Sequence, residues 1–231
     1  MNKIKTPKFS RSKIDLFVEC PCCFYLDVVK GVKRPPSFPY SLNSAVDTLL
    51  KREFDSYRGS KKMHPLLKAH GLIPSNHPSI DNWRDALHKG VEYHHPKHKC
   101  IYRGGIDDLW QNKKNGIFHV VDYKATAKNE VVRELPEWAD GYKRQAEIYQ
   151  WLLRKNGLKV SDTAYFLYCT GNVHAKEFNA NLSFHIELIP YKGDDGWVDG
   201  VLQNLQKCIK AKTPPLPTKE CLYCKFRSHA F

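Results

Sequence analysis

The 231-residue sequence predicts a mixed α/β fold, a central sheet flanked by helices, and three observations carry that expectation. Its apolar patterns run in the order helices, β-hairpin, helix, two strands, helix, which is a layered α/β arrangement. The apolar period switches from helical to strand-like in the centre of the chain and back again. Hydrophobic residues make up 42% of the chain, ample for a core.

The elements follow in order. KIDLFVECPCCFYLDVV (13–29) has apolar residues at helical spacing and reads as a helix that includes or adjoins three cysteines. GVKRPPSFPY (31–40) is a proline-rich loop. SLNSAVDTLLKREFDSYR (41–58) reads as a second helix with an apolar stripe of Leu42, Ala45, Val46, Leu49, Leu50 and Phe54. Residues 59–80 carry Gly, Pro and His and predict a short helix within loops. CIYRGGIDDLW (100–110) and GIFHVVDYKA (116–125) read as strands, and the polar QNKKN between them makes an antiparallel hairpin. A long helix over 139–157 stops at Gly157. Two strands (163–171 and 183–190), a helix over about 195–212 and a proline-rich TPPLP lead into CLYCKFRSHAF. The expected organisation is one domain over 1–231, with a lobe of about 1–60 plus 213–231 around a core of about 90–212.

Charge narrows the partners. Lys and Arg number 37 against 24 Asp and Glu, a net charge of +13. Such an excess points to an anionic partner, nucleic acid first; the alternative is a basic protein with no polyanion partner. No run approaches the ~18 apolar residues of a membrane span. MNKIKTPKFSRSK lacks the apolar core of a signal peptide, so the expectation is a cytoplasmic protein with no membrane partner. In that compartment eight cysteines indicate metal binding or burial rather than disulfides.

The chemistry centres on FHVVDYKATAK (118–128). Asp122 and Lys124 stand at i and i+2 of a strand and share one face. If the hairpin pairs, Asp107 of GGIDDLW reaches the same sheet edge. Two close carboxylates repel unless a cation lies between them. Oxygen ligands suit a hard divalent ion, Mg²⁺ or Mn²⁺, which polarises a phosphoryl oxygen, while Lys124 neutralises developing charge. Taken alone, Asp-x-Lys reads more readily as a surface ion pair; the GGID that ends at Asp107, fifteen residues earlier, and the helix that follows reverse that balance.

In order and spacing these residues resemble the PD-(D/E)XK nuclease superfamily in its RecB-like branch, which includes the CRISPR-associated RecB-like exonucleases. That branch shows G-x-x-D, a hairpin turn, and an apolar strand ending in D-x-K or E-x-K, matched by Gly104, Asp107, Asp122 and Lys124. Its Q-x-x-x-Y helix is matched by Gln145 and Tyr149, which share a helix face at i,i+4. Its C-P-x-x-F/Y opening is matched by Cys20, Pro21, Phe24 and Tyr25. The likeness runs from about residue 9 to 226. It implies a restriction-endonuclease-like fold and a Mg²⁺- or Mn²⁺-dependent DNA nuclease acting on ends or single strands. DNA is the implied partner, with a helicase or other repair or CRISPR proteins as further candidates. Many relatives place a metal-binding His in an early helix. Asp47 stands there in this chain, either as a ligand or as an i,i+4 partner of Lys51.

Cys20 with Cys23 and Cys221 with Cys224 form two C-x-x-C pairs, enough for Zn²⁺ or an iron–sulfur cluster. Some RecB-like relatives carry a [4Fe–4S] cluster joining the two ends of the chain, which the likeness extends to these four, with Cys22 and Cys208 as spares. Free structural thiols are the alternative. Cys100 and Cys169 lie in strand patterns and read as buried hydrophobes. His94, His95 and His98 are assigned no metal. Two other functions fit the sequence: a catalytically weak nucleic-acid-binding member of the same fold, and a cysteine-rich zinc module for protein contacts.

Overall fold

The computed structural model describes residues 6–36 and 41–230. In chain order its elements are β1 (Lys8–Ser10), α1 (Arg11–Glu19), α2 (Pro21–Val28), α3 (Ser41–Asp55), α4 (Pro65–Lys68), β2 (Leu72–Pro74), α5 (Ile80–Arg84), β3 (Val91–His95) and β4 (Cys100–Gly104). They continue with β5 (Asp108–Asn112), β6 (Phe118–Ala127), α6 (Asp140–Lys155), β7 (Thr163–Gly171), β8 (Phe184–Lys192), α7 (Val198–Ile209) and α8 (Leu222–Ala230). This is the expected mixed α/β architecture. No helix among the described residues is long and apolar enough to cross a membrane.

The chain divides into two compact units, one of Met1–Phe38, Glu92–Gly104 and Asp195–Phe231, the other of Pro39–Val91 and Gly105–Asp194. The first contains a small sheet in the order β1-β4-β3, with β1 parallel to β4. Its core is aromatic: Phe9 lies 6.4 Å from Phe24 and 5.9 Å from Tyr102, and Phe17 meets Phe24 edge-on at 5.2 Å. The helix expected over 13–29 is broken in two. Pro21 has no N–H to continue the ladder and disfavours helical backbone at the residue before it. Cys20 accordingly sits extended at φ −159°, ending α1, and caps α2, where its Sγ accepts from Cys23 N at 3.5 Å.

The second unit is built on a five-stranded sheet in the order β2-β5-β6-β7-β8. The central pair β6 and β7 is parallel, joined through α6, and the other neighbours are antiparallel. Val46, Leu50 and Phe54 of α3 pack against Trp110, Val121, Tyr123, Leu167 and Cys169 on one face of the sheet. Fully burying each such apolar side chain contributes about 1.5–3 kcal/mol. Leu42 and Leu49, expected in that stripe, are 58% and 60% exposed; the buried seam of α3 is narrower than the sequence pattern. By strand alternation Asp122, Lys124, Phe166 and Tyr168 face the other way, towards α6.

The strand expected over 100–110 is two strands in two different sheets. The break comes at Gly105, where a Cβ would stand 2.4 Å from Cβ of Ala86, so only glycine allows the backbones to approach. The predicted hairpin is present as β5–β6. β1, β2 and β3 carry no strand pattern long enough to have been read. The 59–80 segment resolves into α4, β2 and the start of α5. The proline-rich loop lies partly outside the described residues, at 37–40.

Candidate active site and cysteine centre

Hairpin register assembles the first site. Asp108 pairs with Val121 and Leu109 with Val120, so one further step places Asp107 opposite Asp122. Tyr123 N donates to Asp107 Oδ2 at 2.9 Å and fixes that carboxyl at the entrance to β5. Asp122 is 1% exposed, and neither of its oxygens accepts a hydrogen bond. Lys124 Nζ touches Oδ2 as a charge contact. The amine also lies 4.4 Å from the ring centroid of Tyr142, a cation–π contact. Burial, then the Asp122 charge, push Asp107 up to about 7, against the pull of Lys124 and Lys51.

An open cavity of about 510 Å³ is lined by Asp47, Asp107, Lys124, Tyr142 and Gln145, among others. Four of the expected residues therefore share it: Asp47, Asp107, Lys124 and Gln145. Asp122, almost fully buried, does not line the cavity and touches one residue that does, Lys124. Tyr149 does not line the cavity; it is buried, and its hydroxyl accepts from Gln145 Nε2 at 3.2 Å. Asp47 lines the cavity and pairs with Lys51 at 2.8 Å, the i,i+4 partner that the sequence offered.

The neighbouring Asp108 behaves oppositely. It is fully buried and saturated: it accepts from Leu109 N at 2.7 Å, Trp110 Nε1 at 3.1 Å and Tyr123 Oη at 2.7 Å, and pairs with Arg58. One aspartate of the pair holds the fold together and the other faces the cavity. Tyr142 was not singled out by sequence, although it precedes Gln145 by three and Tyr149 by seven on one helix face, a spacing that could have found it. Tyr168 beside Lys124 in register was missed as well; its buried hydroxyl has no hydrogen-bond partner, and burial, then Tyr142 and Asp122, push it up to about 12.

The donor set fits a hard cation. Two facing carboxylates share the Lys124 ammonium, which touches one Asp122 oxygen and leaves the buried Oδ1 without a partner among the described residues, an arrangement that a further positive ion would complete.

In the other unit, Cys20, Cys23, Cys221 and Cys224 bring their four sulfurs within 4.8 Å of one another, all buried. Cys23 Sγ lies 3.5 Å from both Cys221 and Cys224, and Cys20 lies 3.8 Å from Cys224. These separations are far beyond a disulfide bond. Burial raises the Cys20 thiol, but the Cys23 N–H, the Thr218 backbone and neighbouring thiols outweigh it and bring it down to about 6. Arg34 Nη2 donates to Cys221 Sγ at 3.7 Å. The spares are outside the set of four: Cys22 packs in the same buried cluster but accepts from Arg227 Nη2 at 3.7 Å, and Cys208 faces Pro21 O at 3.9 Å. Cys100 and Cys169 are buried, as expected.

A family model of the PD-(D/E)XK nuclease superfamily matches residues 8–229. Among solved structures, that of SSO0001 is similar at 15% identity, covering 99% of this chain and 87% of that one, with a TM-score of 0.41. No curated protein matches the sequence.

Proposed function

The chain belongs to the PD-(D/E)XK nuclease superfamily, and from that premise we propose that it is a metal-dependent deoxyribonuclease whose Asp107 and Asp122 hold Mg²⁺ or Mn²⁺. The observation that carries this is the contrast between Asp108, saturated with hydrogen-bond donors, and Asp122, equally buried, whose one polar partner among the described residues is the Lys124 ammonium at Oδ2 while Oδ1 has none. A bound divalent cation supplies Lewis-acid polarisation of the phosphoryl oxygen and a lower pKa for water. The protein's own residues do the rest. Lys124, steered by Asp122 and the Tyr142 ring, presents its ammonium to the cavity and offsets charge that develops on the phosphate. Gln145, tethered by the Tyr149 hydroxyl, holds its amide at the cavity wall to orient the substrate or the attacking water. Asp47 is the third candidate carboxylate ligand. A place in the RecB-like branch and action on DNA ends or single strands belong to the same proposal.

The second centre we assign a structural metal. Three of the sulfur separations, at 3.5–3.8 Å, match the edges of a tetrahedron with Zn–S bonds of about 2.3 Å, and all four sulfurs lie within 4.8 Å of one another, which favours one Zn²⁺. The [4Fe–4S] alternative interposes a whole cluster between the thiolates and would hold them further apart.

The Asp47–Lys51 pair favours a second reading, a nucleic-acid-binding member with weak catalysis, because a carboxylate already neutralised is a poorer ligand. Labelled single-stranded and duplex DNA incubated with Mg²⁺, Mn²⁺ or EDTA separates the two. Cleavage that needs metal and disappears in Asp122→Ala supports the nuclease; binding without cleavage in every metal leaves the weak member.

A further inference from the structure

Three contacts lead outward from the Lys124 amine. Its Nζ lies 4.4 Å from the Tyr142 ring centroid. The Tyr142 ring meets Trp138 at 5.6 Å and 71°, edge to face. Lys128 Nζ lies 5.2 Å from the Trp138 ring centroid. The result is a short ladder of amine, phenol, indole and amine, all carried by β6, α6 and the segment between them.

Trp138 is 61% exposed. An indole in water forgoes the burial that normally justifies so large an apolar side chain. Its neighbours identify what would cover it. An apolar protein surface laid on this ladder would have to desolvate two ammonium groups without compensation. A nucleobase places its flat face on the indole while the flanking phosphates meet the lysines, the combination that single-strand-binding surfaces use. The charge balance of the chain, +13, agrees in sign.

We propose that Trp138 and Tyr142 form a stacking step that seats an unpaired base next to Lys124, so that the strand entering the cavity is single-stranded at that point. A paired base within a duplex has both faces covered by its neighbours and cannot lie on Trp138 unless it is extruded. This rests on the nuclease reading for its substrate and deepens it.

The test measures binding by fluorescence anisotropy in EDTA, with the full chain carrying Asp122→Ala so that nothing is cleaved. The probes are a single-stranded oligonucleotide, the same strand with a run of abasic sites, and a blunt duplex. Adding Trp138→Ala is expected to weaken the base-bearing single strand about five- to one-hundred-fold. It is expected to change the abasic strand less than about twofold, because the phosphates are the same in both. Trp138→Phe, which keeps an aromatic face, restores most of the affinity. A loss that is equal on abasic and base-bearing strands, or no loss on either, overturns the proposal, as does a loss as large on the duplex as on the single strand. Cleavage by the otherwise wild-type protein is scored separately. If it cleaves nothing while Trp138→Ala still removes base-dependent affinity, the stacking step stands and the nuclease reading falls. If metal-dependent cleavage is present and base dependence is absent, the stacking step alone falls.

Discussion

Replacing Asp107 by Asn should stabilise the metal-free protein, and more so as pH rises. Asp107 is held up to about 7 instead of its usual 3.8, by burial first and by Asp122 second. The folded protein then binds a proton there that the unfolded chain has released between about pH 4 and 7. Stability linked to this group is complete below about pH 4 and is lost as pH rises through about 7. The full shift corresponds to a ceiling of roughly 4 kcal/mol. Solvent reaches part of this carboxyl, so roughly half is the working figure. For a chain of this length about 1 kcal/mol moves the melting temperature by about 2–4 °C. Asn has nearly the shape of the protonated acid, and its carbonyl can still accept from Tyr123 N. The two proteins should therefore melt together near pH 4 and diverge by about 4–8 °C near pH 8 in EDTA, with Asp107→Asn the more stable. Mn²⁺ at about 100 times its dissociation constant should then raise the wild type by about 2.7 kcal/mol and leave the variant behind. Differential scanning calorimetry across this pH range measures both effects. A difference that stays flat or shrinks between pH 4 and 8 refutes the claim that Asp107 is a carboxylate crowded by Asp122.

Asp108→Ala should show the opposite behaviour to its neighbour, losing about 3–5 kcal/mol of stability at neutral pH because it leaves Arg58 without its buried carboxylate; urea unfolding checks it. Lys124→Ala should lower the cleavage rate by about 10²–10³, as measured by single-turnover cleavage of end-labelled DNA, and should lower the metal-free melting temperature because buried Asp122 loses its charge partner. Nucleic-acid affinity should fall steeply between about 50 and 200 mM salt; an affinity flat in salt would show that phosphate contacts do not carry binding. Cys221→Ser with Cys224→Ser should lower the melting temperature and abolish metal binding at the cysteine centre, since that centre closes a loop of about 200 residues. Elemental analysis of the wild type should find one zinc and no colour, whereas a brown protein absorbing near roughly 400 nm would assign an iron–sulfur cluster.

What the sequence by itself determined are the features set by fixed local geometry. A strand alternates faces every residue, so Asp122 and Lys124 had to share one. A short polar turn between two strand patterns made a hairpin that brought Asp107 near them. A helix repeats every three to four residues, which put Gln145 above Tyr149. Two C-x-x-C pairs named the four thiols that the fold brings together. Tertiary structure decided which surfaces those local elements meet. Asp107 and Asp108 are indistinguishable as letters; only the break at Gly105 and the pairing of β5 with β6 bury Asp108 against Arg58 and leave Asp107 at the cavity. Tyr149 is withdrawn behind Gln145 because the buried face of α6 extends around it. Leu42 and Leu49 are apolar at helical spacing yet stay in solvent, because the sheet beneath α3 covers only the seam of Val46, Leu50 and Phe54. The exposed Trp138 acquires meaning only when Tyr142 and the two lysines are seen around it. Local periodicity follows from bond geometry that every residue shares, whereas burial follows from contacts between segments far apart in the chain, and no short window of sequence contains both partners.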